Sequence, residues 1–560
     1  METAPSAPSM KTPLLLLLCL ATPFAASAES RAKPNLIVIL VDDMGYSDIG
    51  CYGGEIATPN LDRLARGGMR FTQFYNNAVC ATTRASLLTG LDAARAGQAA
   101  NMVDPDDPFW KLIDSPAYHG MKIWNTVTLP QLLRDQGYQT YMTGKWHQGE
   151  RDGMRPTHRG FDRYYGVLWG AVGNQFKIGG DDFRADDTRV TQAPDDFYTT
   201  DAFTDRAIGF IEEGDPKRPY FLYLAYTAPH LPWNAKPKDI AKYQGIYHKN
   251  WQEIRAKRFA RQKDLGIVPK DAELPPWTPL AADPAKARFQ DQWDDHMTRY
   301  AAMIDSIDQG VGRLLDTLER RGELDNTLIL FLSDNGMWAV DAGGGAPWAE
   351  ASNTPFRYFK GYLHQGGIAS PLIAHWPGVI PANTIQRKQY AHVKDIAPTF
   401  LEILGVDPPT SHQGRDVLPM DGHSFLRALR DPDAAQNHPL FQEYAGNEAL
   451  RDGRWKLVRA YHDDRLGIGG RTDPRTGKWE LYDLETDPFE AHDLADQSPE
   501  RVRKMAARHA EWARGAGLIP YEDVAVKLKC FLEENAASMP SPAKQEGPHV
   551  GDSPTKPLHP

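Results

Sequence analysis

Asn35-Leu36-Ile37-Val38-Ile39-Leu40-Val41-Asp42-Asp43 decides the fold of this chain. After Asn35 the run is continuously apolar and rich in β-branched residues, and it stops at two carboxylates. A strand with one wet face alternates polar and apolar residues, whereas a strand covered on both faces reads like this one. Such strands belong to parallel sheets between helices, where ligands bind beyond the carboxyl ends of the strands. Thr327 to Leu332 is a second run of the same kind, and it leads into Ser333-Asp334-Asn335-Gly336. Two weaker candidates follow the same plan. Tyr220 to Tyr226 leads to Pro229-His230, and Gln139 to Met142 leads to Gly144-Lys145-Trp146-His147.

Helical segments are expected between these strands, over 60–66, 129–136, 204–212 and a long stretch over 293–320. The alternation predicts an α/β fold: a large mixed, mainly parallel sheet sandwiched by helices. From Leu231 to Asp291 the chain carries Trp, Lys and Pro with one helical piece over 251–263, which reads as an insertion at one end of the sheet. Near residue 430 the pattern changes. Arg454 to Val458 and Trp479 to Tyr482 read as short antiparallel strands, and Pro499 to Gly515 as an amphipathic helix. A smaller C-terminal α+β domain is expected over 431–535, after a catalytic α/β domain over 29–430. The Pro-, Ser- and Gly-rich tail from 536 to 560 reads as disordered.

The 560 residues exceed the needs of one typical domain, and 41% of them are hydrophobic. A net charge of −10 gives no reason to expect a nucleic-acid partner. Leu14 to Leu20 follows Lys11 and precedes Ala26-Ser27-Ala28, which reads as a signal peptide over residues 1–28. That run is too short to span a bilayer, and no other stretch is apolar enough, so no membrane partner is expected. The expected address is a periplasm or the cell exterior. Cleavage would remove Cys19 and leave Cys51, Cys80 and Cys530, an odd number that keeps at least one cysteine out of any intramolecular disulfide.

Asp42, Asp43 and Asp334 supply hard carboxylate oxygens, and Asn335 a neutral one. This donor set suits Ca2+ or Mg2+ rather than zinc. Each pair alone reads equally well as turn or cap residues. Cys80-Ala81-Thr82-Thr83-Arg84-Ala85-Ser86-Leu87-Leu88-Thr89-Gly90 puts a thiol ahead of a helix-forming segment, with an arginine one helical turn on. A helix N-terminus and a guanidinium together favour an anion beside that thiol.

This last run resembles the sulfatase signature, Cys-x-Pro-x-Arg followed by three residues, an aliphatic residue, Thr and Gly. Thr82 stands where the family usually has Pro. From about Lys33 to Pro520 the chain looks like a type I sulfatase of the alkaline-phosphatase superfamily, most like the bacterial arylsulfatases. The resemblance implies that Cys80 is oxidised to formylglycine by a formylglycine-generating enzyme. It also implies one Ca2+ per chain, with Mg2+ second, held by Asp42, Asp43, Cys80, Asp334 and Asn335. Arg84 matches the arginine that holds the nucleophile, and Lys145 and His147 match the second sulfatase segment. His230 matches a substrate-side histidine, and Lys360 matches the lysine that contacts sulfate. Implied in turn is hydrolysis of small-molecule sulfate esters, aryl sulfates first, through a formylglycine hydrate and a covalent sulfoenzyme. His147 would serve as the base and His230 would protonate the leaving alcohol. Phosphate or phosphonate ester hydrolysis shares the metal pattern, and an unconverted Cys80 would leave only a binder of sulfated ligands. Gln148 and Gln365 depart from the Leu and Glu that relatives usually carry. Trp169, Trp233, Trp338 and Trp348 are candidate walls for an aryl group or a sugar face, or simply packing.

Overall fold

The computed structural model describes residues 1–4, 33–101, 111–121, 125–178, 183–248, 251–282, 290–339, 345–460 and 477–535. The expected signal peptide, apart from residues 1–4, and the tail from 536 lie outside the described residues. No helix among the described residues is long and apolar enough to cross a membrane.

The strands β1 (Asn35–Val41), β2 (Met69–Tyr75), β3 (Gln139–Lys145), β4 (Arg163–Val167), β5 (Phe183–Ala185), β6 (Thr188–Arg189), β7 (Tyr220–Ala225), β8 (Thr327–Ser333), β9 (Ala369–His375), β10 (Thr384–Gln386) and β11 (Ala391–His392) form one sheet. Its order is β10-β2-β9-β8-β1-β7-β3-β4-β5-β6, with β11 also on β2. The centre, β8-β1-β7-β3-β4, is wholly parallel. β9 runs against both of its neighbours, and β5 against β4. Every residue of β1, β3, β7 and β8 is buried. That is the double-sided cover that the apolar runs predict.

Helices occupy both faces. The longest, Gln290–Arg320, packs with Pro59–Gly67, Thr199–Glu213 and Pro237–Tyr243. Apolar side chains alternate along β1 between two cores. Ile37, Ile39 and Val41 enter one, and Leu36, Val38 and Leu40 the other. Leu36 to Val41 are all fully buried. At roughly 1.5–3 kcal/mol per large side chain removed from water, this strand is a principal source of stability.

The expected insertion holds two helices, Pro237–Tyr243 and Trp251–Asp264, where the sequence pointed to one. Toward the C-terminus, strands Leu440–Tyr444, Asn447–Asp452, Trp455–Arg459 and Glu480–Asp483 make an antiparallel sheet covered by helix Pro499–Gly515. A further helix, Tyr521–Asn535, follows and had no counterpart in the sequence reading. The antiparallel sheet is bonded to segments of the larger layer. Gln442 Nε2 donates to the Asn76 carbonyl at 2.7 Å, and Asn447 Nδ2 to the Gly361 carbonyl at 3.2 Å. Cys51, buried, and Cys530, exposed, are both free thiols.

Candidate active site

Strand register sets the site. Val41 pairs with Ser333 across β1 and β8, so Asp42-Asp43 and Asp334-Asn335 leave the sheet side by side. Ala225 of β7 pairs with both Leu40 and Gly144, which brings Lys145 to the same rim. Gly144 has φ +104°, and an added Cβ would fall 1.8 Å from the Ala225 carbonyl oxygen, so only glycine fits there. Asp43 and His147 are non-glycine residues with φ 65° and 56°. Such conformations persist only where the surroundings impose them, and they concentrate at functional sites.

Ligand atoms from Asp42, Asp43, Cys80 and Asp334 lie within 4.8 Å of one another, all from buried residues. Asn335 Nδ2 donates to Asp43 Oδ1 at 2.6 Å, and the Asp43 amide donates to Asp334 Oδ1 at 3.2 Å. Asp42 Oδ1, Asp43 Oδ2 and Asn335 Oδ1 are buried and accept no hydrogen bond from the described residues. Orphaned buried oxygens on Asp42 and Asp43, with a third on the adjoining Asn335, fit the needs of a hard divalent cation.

Cys80 opens helix Cys80–Thr89, every residue of which is buried. Lys360 Nζ donates to Asp43 Oδ1 at 2.6 Å and to Cys80 Sγ at 3.2 Å. Lys145 Nζ donates to Asp42 Oδ2 at 2.6 Å. Arg84 Nη2 meets Asp334 Oδ2 at 2.8 Å and lies 3.9 Å from Asp42 Oδ1, while Nη1 donates to the Lys145 carbonyl at 2.8 Å. His230 Nε2 stands 3.6 Å from Asp43 Oδ2, and its Nδ1 lies 2.7 Å from the Leu231 carbonyl oxygen. Since a carbonyl only accepts, that Nδ1 carries the proton. His147 stands in the same field of charges, with an unpartnered, buried Nδ1. Its Nε2 backs onto Gly170, where an added Cβ would come within 2.6 Å.

Burial pushes the Asp42 carboxyl up, but Lys145, His230 and Arg84 outweigh it and hold the group well below the usual carboxylate range. Burial, then the Asp42 charge, pushes Asp334 up to about 7 despite Arg84. A cation among these acids would reverse that rise. Burial, reinforced by Asp42, pushes the Cys80 thiol up to about 12, so an unconverted Cys80 is a neutral thiol and a weak nucleophile. Burial lowers both histidines. Lys145 and Arg84 lower His147 further, whereas Asp43 and Asp42 oppose the fall at His230.

Thr82 Oγ1 donates to the Val79 carbonyl at 2.9 Å and so braces the turn that enters the helix. Three contributors escaped sequence reasoning. Thr83 Oγ1 donates to the Asp334 carbonyl at 2.8 Å, and Asn77 Nδ2 to the Thr82 carbonyl and Ser86 Oγ at 2.9 Å each. Tyr444, arriving from the antiparallel sheet, comes near enough to Lys360 for that charge to oppose the rise that burial gives its hydroxyl. Thr83 sits inside the quoted run and Asn77 just ahead of it, but nothing in the sequence brings Tyr444 here. Gln148 Nε2 donates to the Ala81 carbonyl at 2.7 Å, whereas Gln365 accepts from Tyr75 and faces the 488–490 segment. The four tryptophans also separate. Trp348 is buried, and Trp233 packs on Trp293 and His296. Trp338 lies 5.7 Å from the His230 ring and 5.1 Å below Lys360 Nζ, while Trp169 is 43% exposed.

A rim of acids around a buried cysteine at a helix N-terminus, on a mainly parallel sheet, defines the class, and comparison with known proteins gives the family. The sulfatase family model matches residues 34–406, and a model of the C-terminal part of N-sulphoglucosamine sulphohydrolase matches 356–511. The arylsulfatase of Klebsiella aerogenes is 34% identical over 444 residues, covering 71% of this chain and 93% of that protein. An uncharacterized sulfatase of Schizosaccharomyces pombe is 30% identical over 563 residues, covering 89% and 97%. Among solved structures, Ps i-CgsB in complex with k-i-k-neocarrahexaose superposes with a TM-score of 0.65 at 25% identity, covering 89% of this chain and 97% of that one. This chain belongs to the sulfatase family: it is a type I sulfatase of the alkaline-phosphatase superfamily and a sulfuric ester hydrolase.

Proposed function

We propose that the protein hydrolyses aryl sulfates, using a Ca2+ ion and a formylglycine made from Cys80. The observation that carries this reading is the set of three orphaned buried oxygens, from Asp42, Asp43 and Asn335, beside a cysteine at a helix N-terminus. Asp42, Asp43, Asp334, Asn335 and residue 80 would hold the ion, and Ca2+ would supply positive charge against the sulfate oxygens. Converted, residue 80 would supply a hydrated aldehyde, whose two hydroxyls serve attack on sulfur and then release of sulfate.

The chain's own groups have separable tasks. Arg84 fixes the acid rim and the Lys145 carbonyl at once. Lys145 and Lys360 concentrate positive charge where a sulfate would sit, which lowers the cost of bringing a nucleophile to an anion. With burial and neighbouring cations holding it neutral, His147 suits the base role. His230 keeps one proton on Nδ1; a second on Nε2, opposed by burial and favoured by Asp43, is the proton a leaving oxygen would take. Trp338, beneath Lys360 and beside His230, offers a flat wall on the leaving-group side. We further propose export to the periplasm or the exterior after cleavage at Ala28, with a formylglycine-generating enzyme as the maturation partner.

Peptide mass spectrometry across Cys80 tests the nucleophile. The protein from its native host should show sulfur replaced by oxygen and an aldehyde that hydrazides trap. Retained thiol together with sulfate-ester turnover would remove the mechanism. Comparing para-nitrophenyl sulfate with the phosphate then separates sulfatase from phosphatase chemistry at the same rim. A carbohydrate sulfate is the second reading, favoured by the neocarrahexaose bound to the solved relative and by the 28% identical N-acetylglucosamine-6-O-sulfatase of Bacteroides thetaiotaomicron. Faster turnover of a sulfated sugar than of the aryl ester would select it.

A further inference from the structure

A cavity of about 490 Å³ opens where the end of β2, the 266–270 segment and the 484–489 segment meet. None of the residues assigned above to the catalytic rim lines it. Its volume falls within the usual range of small-molecule sites. The floor is aromatic and buried. Phe356 and Phe489 stand edge to face with centroids 6.2 Å apart, and Tyr46 packs on Phe356 at 4.8 Å. The hydroxyls at this floor are already engaged, Tyr46 with the Thr72 carbonyl at 3.3 Å and Tyr75 with Gln365 Oε1 at 2.7 Å. A ligand entering here therefore meets ring faces and edges rather than free polar groups.

The rim differs from the floor. Lys270 and Arg387 are both exposed, and neither has a carboxylate partner among the described residues. Among the described residues the Arg387 side chain donates to the Gly266 carbonyl, at 2.5 Å. Glu485, the acid at the rim, is taken by Arg454 at 2.7 Å. The mouth thus holds an excess of cations above an aromatic floor.

We infer that this cavity is a second binding site, for a small arene bearing one anionic substituent. The ring would enter the Phe356–Phe489 corner, where offset and edge contacts are favourable. The anion would remain at the mouth between Lys270 and Arg387, where hydration is kept and charge pairing is gained. The site needs no converted Cys80 and no metal, so it stands or falls separately from the catalytic reading.

Fluorescence titration of the full-length protein with anilinonaphthalene sulfonate tests it, with uncharged phenylnaphthylamine as the matched neutral probe. The sulfonate should bind at one site and more tightly than the neutral probe. Lys270→Glu with Arg387→Glu should weaken the sulfonate roughly ten-fold, as expected for two lost charge pairs. The neutral probe should be unaffected by that change. Val268→Trp, which fills the floor, should abolish binding of both probes, and para-nitrophenyl sulfate turnover should stay at the wild-type value in every variant. Equal affinity for the two probes in the wild type, sulfonate binding that survives the double charge reversal, or probe binding that persists in Val268→Trp would each overturn the proposal.

Discussion

Arg84 and Asp334 form an ion pair of 2.8 Å in which neither side chain is exposed to solvent. The same guanidinium also holds the main chain of Lys145, so one side chain ties the helix of Cys80 to the ends of β8 and β3. Removing Arg84 leaves the Asp334 carboxyl dry and without that partner. Arg84→Ala should therefore lower unfolding free energy by about 3–5 kcal/mol, read by chemical denaturation. Sulfate-ester turnover should vanish in the same variant. An unchanged denaturation midpoint would mean that the pair is dispensable.

The orphaned oxygens make metal binding a stability measurement as well as an activity one. Ca2+ at a hundred-fold excess over its Kd should stabilise the native state by about 2.7 kcal/mol, visible as a rise in melting temperature that chelation reverses. Asn335→Ala removes one of the three oxygens and should shrink that rise. If Mg2+ gave the larger rise, the assignment of Ca2+ would be wrong.

Thr82 occupies the third position of its helix, where the backbone N–H has no intrahelical acceptor to lose. The first ladder bond is the one from the Thr83 amide to the Val79 carbonyl, at 3.1 Å. Thr82→Pro should thus cost no backbone bond and shift stability by less than about 1 kcal/mol. The converted fraction of Cys80, measured by mass spectrometry, should rise toward that of proline-bearing relatives. A fall in that fraction would show that Thr82 is the better recognition residue here.

Glu443 gives the pH prediction. Burial, helped by the Glu448 charge, pushes its carboxyl up to about 8 against a bond from the Gly446 amide. The native state then keeps a proton that the unfolded chain releases above about 4.5. Between those two values the unfolded state binds fewer protons, so this group's contribution to stability falls as pH rises. Glu443→Gln should flatten the stability curve across that window. Parallel curves for variant and wild type would place Glu443 in an ordinary carboxylate environment.

Legibility followed physics rather than position. Strands β1 and β8 were legible because burial on both faces leaves an uninterrupted apolar run. Their carboxyl ends named the acid rim, since a parallel sheet turns strand ends into neighbours. β2 escaped because Arg70, Thr72 and Gln73 interrupt it, and their polar groups are satisfied by contacts distant in sequence, to Cys51, Gln386 and Arg387. Lys360 was read from family spacing alone, whereas His230 was also marked by its place beyond the Tyr220 run. Nothing local marks Lys360, because its role comes from a distance to Asp43 that only the folded chain sets. Tyr444 was invisible for the same reason: it enters from an antiparallel sheet whose packing on the catalytic layer has no sequence signal.

The bonds from Gln442 and Asn447 to the main chain around Cys80 have a consequence for timing. Cys80 is 2% exposed in the folded chain, too enclosed for another protein's active site to reach. During translation those residues emerge long after the cysteine, at about 5–20 residues per second, a delay on the order of tens of seconds. If residue 80 is converted as proposed, its oxidation must fall within that interval or in a chain held unfolded afterwards. A faster-folding variant would then be a poorer enzyme, through a maturation deadline rather than through any defect in its finished site.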